Sequence, residues 1–223
     1  MQLANKKMVV TGAAGGLGSV VAEVAKSQAA EVVLLDVVPE FTSSLGAAYT
    51  VDLTDAAQVS ACFSQIGDFD IVANIAGGFA MGPTVAVTED AFWDQLFMLN
   101  VTTLRRVLAA AVPALIARGR GSIVNVGAVG AARGAANMSA YVAAKATVMR
   151  LTESVSEEVR GAGVNCNAVL PSVIDTPANR DGMPDADFDA WVSPRDLAEV
   201  ICFLGSDAAR AVHGALVPVT GLV

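Results

Sequence analysis

The chain has 223 residues, 54% of them hydrophobic, and a formal charge of −8 from 14 basic and 22 acidic side chains. That apolar content excludes a disordered chain. The acidic balance, with aromatics at 5%, counts against the basic, base-stacking surface of a nucleic-acid binder. Cys62, Cys166 and Cys202 are far apart and His213 is the single histidine, so neither a disulfide framework nor a metal site is expected.

In chain order, short β-branched runs alternate with longer alanine-rich ones. A strand is expected at 8–10, then a glycine-rich turn and a helix over 17–29. A second strand over 31–35 ends at Asp36. A short third strand at 49–51 is closed by Asp52. Thr54 is the expected N-cap of a helix over 55–66. A fourth strand at 70–73 leads into Asn74-Ile75-Ala76-Gly77-Gly78. A long helical region with a break runs from Thr88 to about Arg118. A fifth strand over 122–126 is followed by a helix over 139–160, with Ser139 as its expected cap. A sixth strand over 164–170, a helix from Pro194 to near Leu204 and a last strand over 216–219 complete the pattern. The strands read as continuous apolar runs, which implies burial on both faces by helices. The expected fold is α/β: one Rossmann-type domain over 1–223, a three-layer sandwich around a mostly parallel seven-stranded sheet. No uninterrupted run reaches the roughly 18 apolar residues of a membrane helix, and the N-terminus lacks a signal-peptide pattern. The expectation is a soluble, cytoplasmic protein with no membrane or nucleic-acid partner. Residues 175–191, rich in Asp, Pro and Gly, follow a strand end and are a candidate lid over a site.

The first strand runs into Thr11-Gly12-Ala13-Ala14-Gly15-Gly16-Leu17-Gly18 and then a helix. Glycines let the backbone approach a pyrophosphate, and the helix offers free N–H groups and the positive end of its dipole. This strand–loop–helix context at Gly12, Gly16, Leu17 and Gly18 marks a dinucleotide site. Asp36, about 20 residues beyond the loop, is placed to accept both ribose hydroxyls of an adenosine. A carboxylate there repels a 2′-phosphate, the next residue is Val37, and the loop holds no Lys or Arg. NAD(H) is therefore preferred over NADP(H). Asp52 is a candidate acceptor for the adenine amino group. The small residues after Asn74 leave room for a ribose, while Asn74 itself is read as structural, holding the sheet through backbone bonds.

Tyr141 and Lys145 are one helical turn apart, so both project from one face. A phenol has an ordinary pKa near 10, and a neighbouring ammonium lowers it. Such a pair moves a proton to or from a substrate oxygen or nitrogen.

Taken together, these residues resemble the short-chain dehydrogenase/reductase family over essentially the whole chain. The resemblance rests on the glycine loop, Asp36, Asp52-Leu53, Asn74-Ile75-Ala76-Gly77, Leu99-Asn100-Val101, Tyr141-Val142-Ala143-Ala144-Lys145 and Leu170-Pro171-Ser172-Val173-Ile174-Asp175-Thr176-Pro177. It implies an oxidoreductase in which Tyr141 is the general acid/base. Lys145 tunes it and binds the nicotinamide ribose, and Asn100 holds a water on a proton relay. It further implies that Pro171 and Thr176 touch the nicotinamide, and that the chain forms a homodimer or homotetramer, with the apolar run over 107–117 in the interface. The family's usual serine, which polarises a substrate carbonyl, is replaced here by Ala128, which has no donor. Either Ser139 or a backbone N–H substitutes, or the substrate needs less polarisation. Within the family the chain is similar to the dihydropteridine-reductase branch, which also lacks that serine, at Asp36-Val37-Val38, Ala76-Gly77-Gly78-Phe79, Gly127-Ala128 and the segment 175–191. An electron-poor imine accepts hydride without a polarising serine. Phe79 is read as either a stacking surface for such a ring or a core residue.

Overall fold

The computed structural model describes residues 2–222. Seven strands form one sheet: β1 (Lys7–Thr11), β2 (Glu31–Asp36), β3 (Ala47–Thr50), β4 (Ile71–Asn74), β5 (Gly121–Val126), β6 (Val164–Pro171) and β7 (Leu216–Val219). Their order is β3-β2-β1-β4-β5-β6-β7, and every pairing is parallel. The sheet is thus wholly parallel, beyond the mostly parallel expectation, because every connection crosses over through a helix or long loop.

Among the described residues the α-helices are α1 (Gly18–Ser27), α2 (Ala56–Ile66), α3 (Asp90–Phe97), α4 (Thr103–Arg118), α5 (Ser139–Val159), α6 (Pro177–Gly182) and α7 (Pro194–Gly205). Successive strand residues point to opposite faces. Val10, Leu34, Ala73 and Val124 pack with Val21, Ala25, Leu197 and Ile201 of α1 and α7. Val9, Val33, Val72 and Ile123 pack instead with α2, α4 and α5 through Phe63, Leu108, Leu115 and Val155. By length and hydropathy alone the 29-residue helical run from Asp90 to Arg118 would span a membrane. Its Leu104, Val107, Leu108, Ala111 and Leu115 are core residues against the sheet.

Three local expectations are corrected. The third strand lies at Ala47–Thr50, not 49–51, because its pairing runs from Val33↔Ala47 to Asp36↔Thr50 and stops where β2 stops. Asp55, not Thr54, caps α2, accepting from Ala57 N and Gln58 N at 2.8 and 3.1 Å. Thr54 is turned the other way, its N–H and hydroxyl both donating to Asp52 Oδ1. Ser139 is the first residue of α5 and not its cap; Met138 holds that position without a side-chain bond. The break in the long helical region is a π-turn over Met98–Thr102.

The chain steps outward from β1 to β2 and β3 and then returns to the other side of β1 at β4, so the carboxyl ends of β1 and β4 flank the point where the strand order reverses, the usual ligand position in such sheets.

Candidate active site

The crevice begins at the glycine loop. Gly12 has φ of +65°, and a Cβ there would stand 2.9 Å from Ala76 Cα. A Cβ on Gly18 would meet the Gly12 carbonyl oxygen at 2.0 Å, so the start of α1 is pressed against the loop. Thr176 packs on the loop from the other side, its Cγ2 lying 3.2 Å from where a Gly16 Cβ would be. The side chains of Leu17 and Leu53 are buried in the two core layers.

Asp36 is tied to the loop: its Oδ2 accepts from Ala14 N at 2.8 Å and its Oδ1 from Val38 N at 3.2 Å. A carboxylate offers about four lone-pair sites, so acceptor capacity remains. Asp52 uses one oxygen on Thr54 and is half-buried. This loop and carboxylate are a cradle that fits the diphosphate and ribose of a nicotinamide dinucleotide: backbone approaches closely, a Cβ is excluded at Gly12 and Gly18, and the N–H groups of Gly16 and Leu17 have no hydrogen-bond partner among the described residues.

Tyr141 and Lys145 both face the sheet's carboxyl edge from α5. Lys145 is buried and its Nζ donates to Val126 O at 2.9 Å. Burial lowers its pKa to about 8. Tyr141 stands against Phe79, ring centroids 4.9 Å apart at 87°. Burial pushes its phenol up to about 12. Burial of the phenol beside Phe79 and the apolar groups around Ala128 and Met138 acts against the lowering expected from a neighbouring ammonium. Ala128 is buried in that cluster. Phe79 is 52% exposed, so it is a wall of the cleft and not a core residue.

Asn100 sits in the π-turn, and its side chain is fully engaged. Oδ1 accepts from Gly78 N at 3.1 Å, while Nδ2 donates to Gly78 O and Leu96 O, both at 3.0 Å. It clasps the segment that carries Phe79. A Cβ on Gly77 would lie 2.8 Å from Asn100 Oδ1 and 3.4 Å from Lys145 Nζ. Asn74 acts through its side chain and not its backbone alone, donating to Asn125 Oδ1 at 2.8 Å. It is buried below the crevice floor.

Sequence reasoning missed several supports. Thr11 Oγ1 accepts from both Ile75 N and Ala76 N at 3.1 Å, fixing the turn after β4. Asn125 and Thr152 continue the bond from Asn74 at 2.9 Å. Polar residues inside strands and helices that otherwise read as core were the available signal. Residues 175–191 carry α6, capped by Thr176. Arg180 binds Asp175 through two nitrogens at 2.5 and 2.8 Å and lies over Phe188 at 4.6 Å.

A profile of the short chain dehydrogenase family matches residues 6–186. The chain belongs to the short-chain dehydrogenase/reductase family, whose members are oxidoreductases that bind nicotinamide cofactors. It is 30% identical to a 2-(S)-hydroxypropyl-CoM dehydrogenase of Xanthobacter autotrophicus, covering 99% of this chain and 97% of that one. A carveol dehydrogenase from Mycobacterium avium in complex with NAD superposes with a TM-score of 0.85 at 25% identity, covering 99% of this chain and 98% of that one. A protein from Agrobacterium tumefaciens described as a 2-deoxy-D-gluconate 3-dehydrogenase, with bound NADP, gives 0.90 at 30% identity, covering 99% of this chain and 96% of that one.

Proposed function

We propose that the chain, as one dinucleotide-binding unit, transfers hydride between NAD(H) and a small carbonyl, alcohol or imine substrate. Tyr141 is the proton donor and acceptor. The observation that carries this reading is the pairing of Tyr141 and Lys145 on α5, with Lys145 Nζ at the end of β5 on Val126 O. When bound, the dinucleotide supplies or accepts the hydride. Gly12, Gly16, Gly18 and the Leu17 backbone would hold its diphosphate, Asp36 its ribose hydroxyls, and Asp52 with the Leu53 backbone its adenine. Ala76 and Gly77 would make room for the second ribose, with Lys145, Pro171 and Thr176 beside the nicotinamide. Asn74 holds the floor beneath. Lys145 as an ammonium favours the phenolate of Tyr141, and Asn100 keeps the 77–79 segment in place beside the proton relay.

NAD(H) is favoured over NADP(H) by Asp36, whose carboxylate faces the loop through Ala14 N and would repel a 2′-phosphate. The dihydropteridine-type reading is supported by two neighbours of Tyr141. Ala128 offers no polarising hydroxyl, and Phe79 presents a half-exposed ring to a flat substrate. Free, buried cysteines suit a reducing cytoplasmic setting. Exposed Ile116 on α4 suits a homodimer or homotetramer contact, with no nucleic-acid or membrane partner required.

The test is turnover with NADH and NADPH on carbonyls, secondary alcohols and quinonoid dihydropterin. Tyr141→Phe is expected to lose on the order of 10²–10⁴-fold. Unchanged turnover in that variant defeats the assignment, and NADH binding with no turnover of any class makes the protein a non-catalytic binder.

A further inference from the structure

The carboxyl end of β5 has a segment on each side. In the order β4-β5-β6, the chain leaving β4 stands on one flank of Gly127 and Ala128, and the chain leaving β6 stands on the other. The first segment carries Phe79, Met81, Val85 and Val87, and the second carries Met183, just past α6; all are exposed. Leu99 continues the first wall. It is exposed as well, and its Cδ2 lies 2.5 Å from where a Cβ on Gly78 would be. Phe92 packs on the same loop at Gly82. Gly82 N donates to Asn137 O at 2.9 Å, which ties the wall to the turn ahead of α5 and Tyr141. Phe79 meets Tyr141 edge-on, so the apolar surface reaches the phenol. Elsewhere large apolar side chains are exposed singly, as Ile116 and Phe203 are. Single ones are ordinary on a soluble surface, whereas a gathered set marks a place that something covers.

The charge at this edge is one-sided. The chain has 14 basic residues. The segments that run on from the strands' carboxyl ends, 12–17, 37–46, 51–55, 75–89, 127–138 and 172–193, carry Arg133 and Arg180 alone. Arg180 is spent within the lid: it binds both oxygens of Asp175, and its guanidinium lies over the Phe188 ring at 4.6 Å. Arg133 stands in an exposed turn beyond Ala131. The lid adds Asp181, Asp185, Asp187 and Asp189. An anionic body would meet a negative rim, and its charge would have to leave water against apolar side chains.

We propose that the substrate of this site is an uncharged molecule with an apolar body, which lies between Phe79 and Met81 on one side and Met183 on the other while its reacting carbon faces Tyr141. Met81 and Met183 are the specificity-determining residues. An unbranched thioether side chain adapts to surfaces of several shapes, so the walls accept apolar bodies of different outline and select on hydrophobicity. Ala128 and Met138 carry the same character down to the phenol.

The inference rests on Tyr141 as the reacting group, and its test separates the two. Straight-chain amides have the shape of the matching 2-alkanones and are not reduced. Titrated calorimetrically into the protein with NAD⁺, amides from butanamide to octanamide are expected to tighten by about fourfold per methylene, the value of one buried CH₂. Octanamide bearing a carboxylate or an ammonium at its far carbon is expected to bind at least about tenfold more weakly. An affinity that is flat along the series, or tighter binding of either charged form, overturns the proposal even where Tyr141→Phe abolishes turnover. The length dependence together with normal turnover in Tyr141→Phe supports the proposal and defeats the mechanism instead. For 2-alkanones with NADH, kcat/KM should rise with length in parallel, through KM. Met81→Ser and Met183→Ser, both at exposed positions that leave the core intact, are each expected to cut the slope to about twofold per methylene. Unchanged slopes in both variants overturn the proposal. If a second copy of the chain covers this surface instead, Met81→Ser lowers the mass in analytical ultracentrifugation and leaves the slope as it was, which overturns it too.

Discussion

Phe79 stands edge-on to Tyr141, ring centroids 4.9 Å apart and planes at 87°. The ring is part of what surrounds Tyr141, and burial pushes the phenol's pKa up to about 12. Phe79→Ala is expected to bring the Tyr141 ionisation back toward the ordinary value near 10. Ultraviolet titration in a Tyr49→Phe background isolates it, since the chain has 2 tyrosines. The same variant should raise KM for a flat substrate by roughly tenfold, the value of one aromatic contact.

Lys145 opposes the fold it serves. Burial lowers its pKa from the ordinary 10.5 to about 8, so between those values the unfolded chain binds the proton and the folded chain does not. Stability therefore rises as pH goes from 8 to 10.5, by up to about 3 kcal/mol. Lys145→Met is expected to raise Tm at pH 7 and to flatten that slope, while abolishing turnover. Denaturant unfolding at pH 7.5 and 10 checks the sign; a steeper rise in the variant would contradict it.

Asp36 reaches back to Ala14 N and forward to Val38 N. Asp36→Ala removes both bonds and the charge that discriminates against a 2′-phosphate. The ratio of kcat/KM for NADH over NADPH should fall about 10–100-fold, the range for a hydrogen bond to a charged group. Steady-state kinetics with the two dinucleotides measures it directly.

At the opposite end of the strands, Asp70 gathers Lys7 N at 3.0 Å, Arg118 at 2.9 Å and Arg120 at 3.5 Å. Burial pushes its carboxyl up, but the Lys7 N–H and the Arg118 guanidinium outweigh burial and hold it below the ordinary value. A depressed carboxylate contributes stability that is present above its unfolded pKa and lost as pH falls through the folded one. Asp70→Asn should cost about 2 kcal/mol at neutral pH and nearly nothing in acid, with KM for NADH unchanged because the crevice lies at the far edge.

The sheet was legible because a parallel strand buried on both faces writes a continuous apolar run, as Ile71 to Ala73 and Ile123-Val124 do. The Tyr141–Lys145 face was legible from helical period alone. The bonding of Asn125 and Thr152 was not, since an asparagine in a strand and a threonine in a helix carry no record of which polar atom they meet across the sheet. Ser139 misled for a related reason. A serine ahead of a helix resembles a cap, and only the backbone angle at Met138 shows that the turn begins one residue earlier. The phenol's acidity also lay outside local pattern, because it depends on Phe79, distant in sequence, closing over the ring.

The π-turn at Met98–Thr102 winds one extra residue into its coil relative to an α-helix. That added arc rotates everything downstream about the helix axis by roughly the angle of one residue, 100°. Asn100 can therefore reach sideways to clasp Gly78 while Leu104, Leu108 and Leu115 still come round to the sheet. Excising a single residue there would leave a regular cylinder able to serve its floor or its neighbour, and not the two at once.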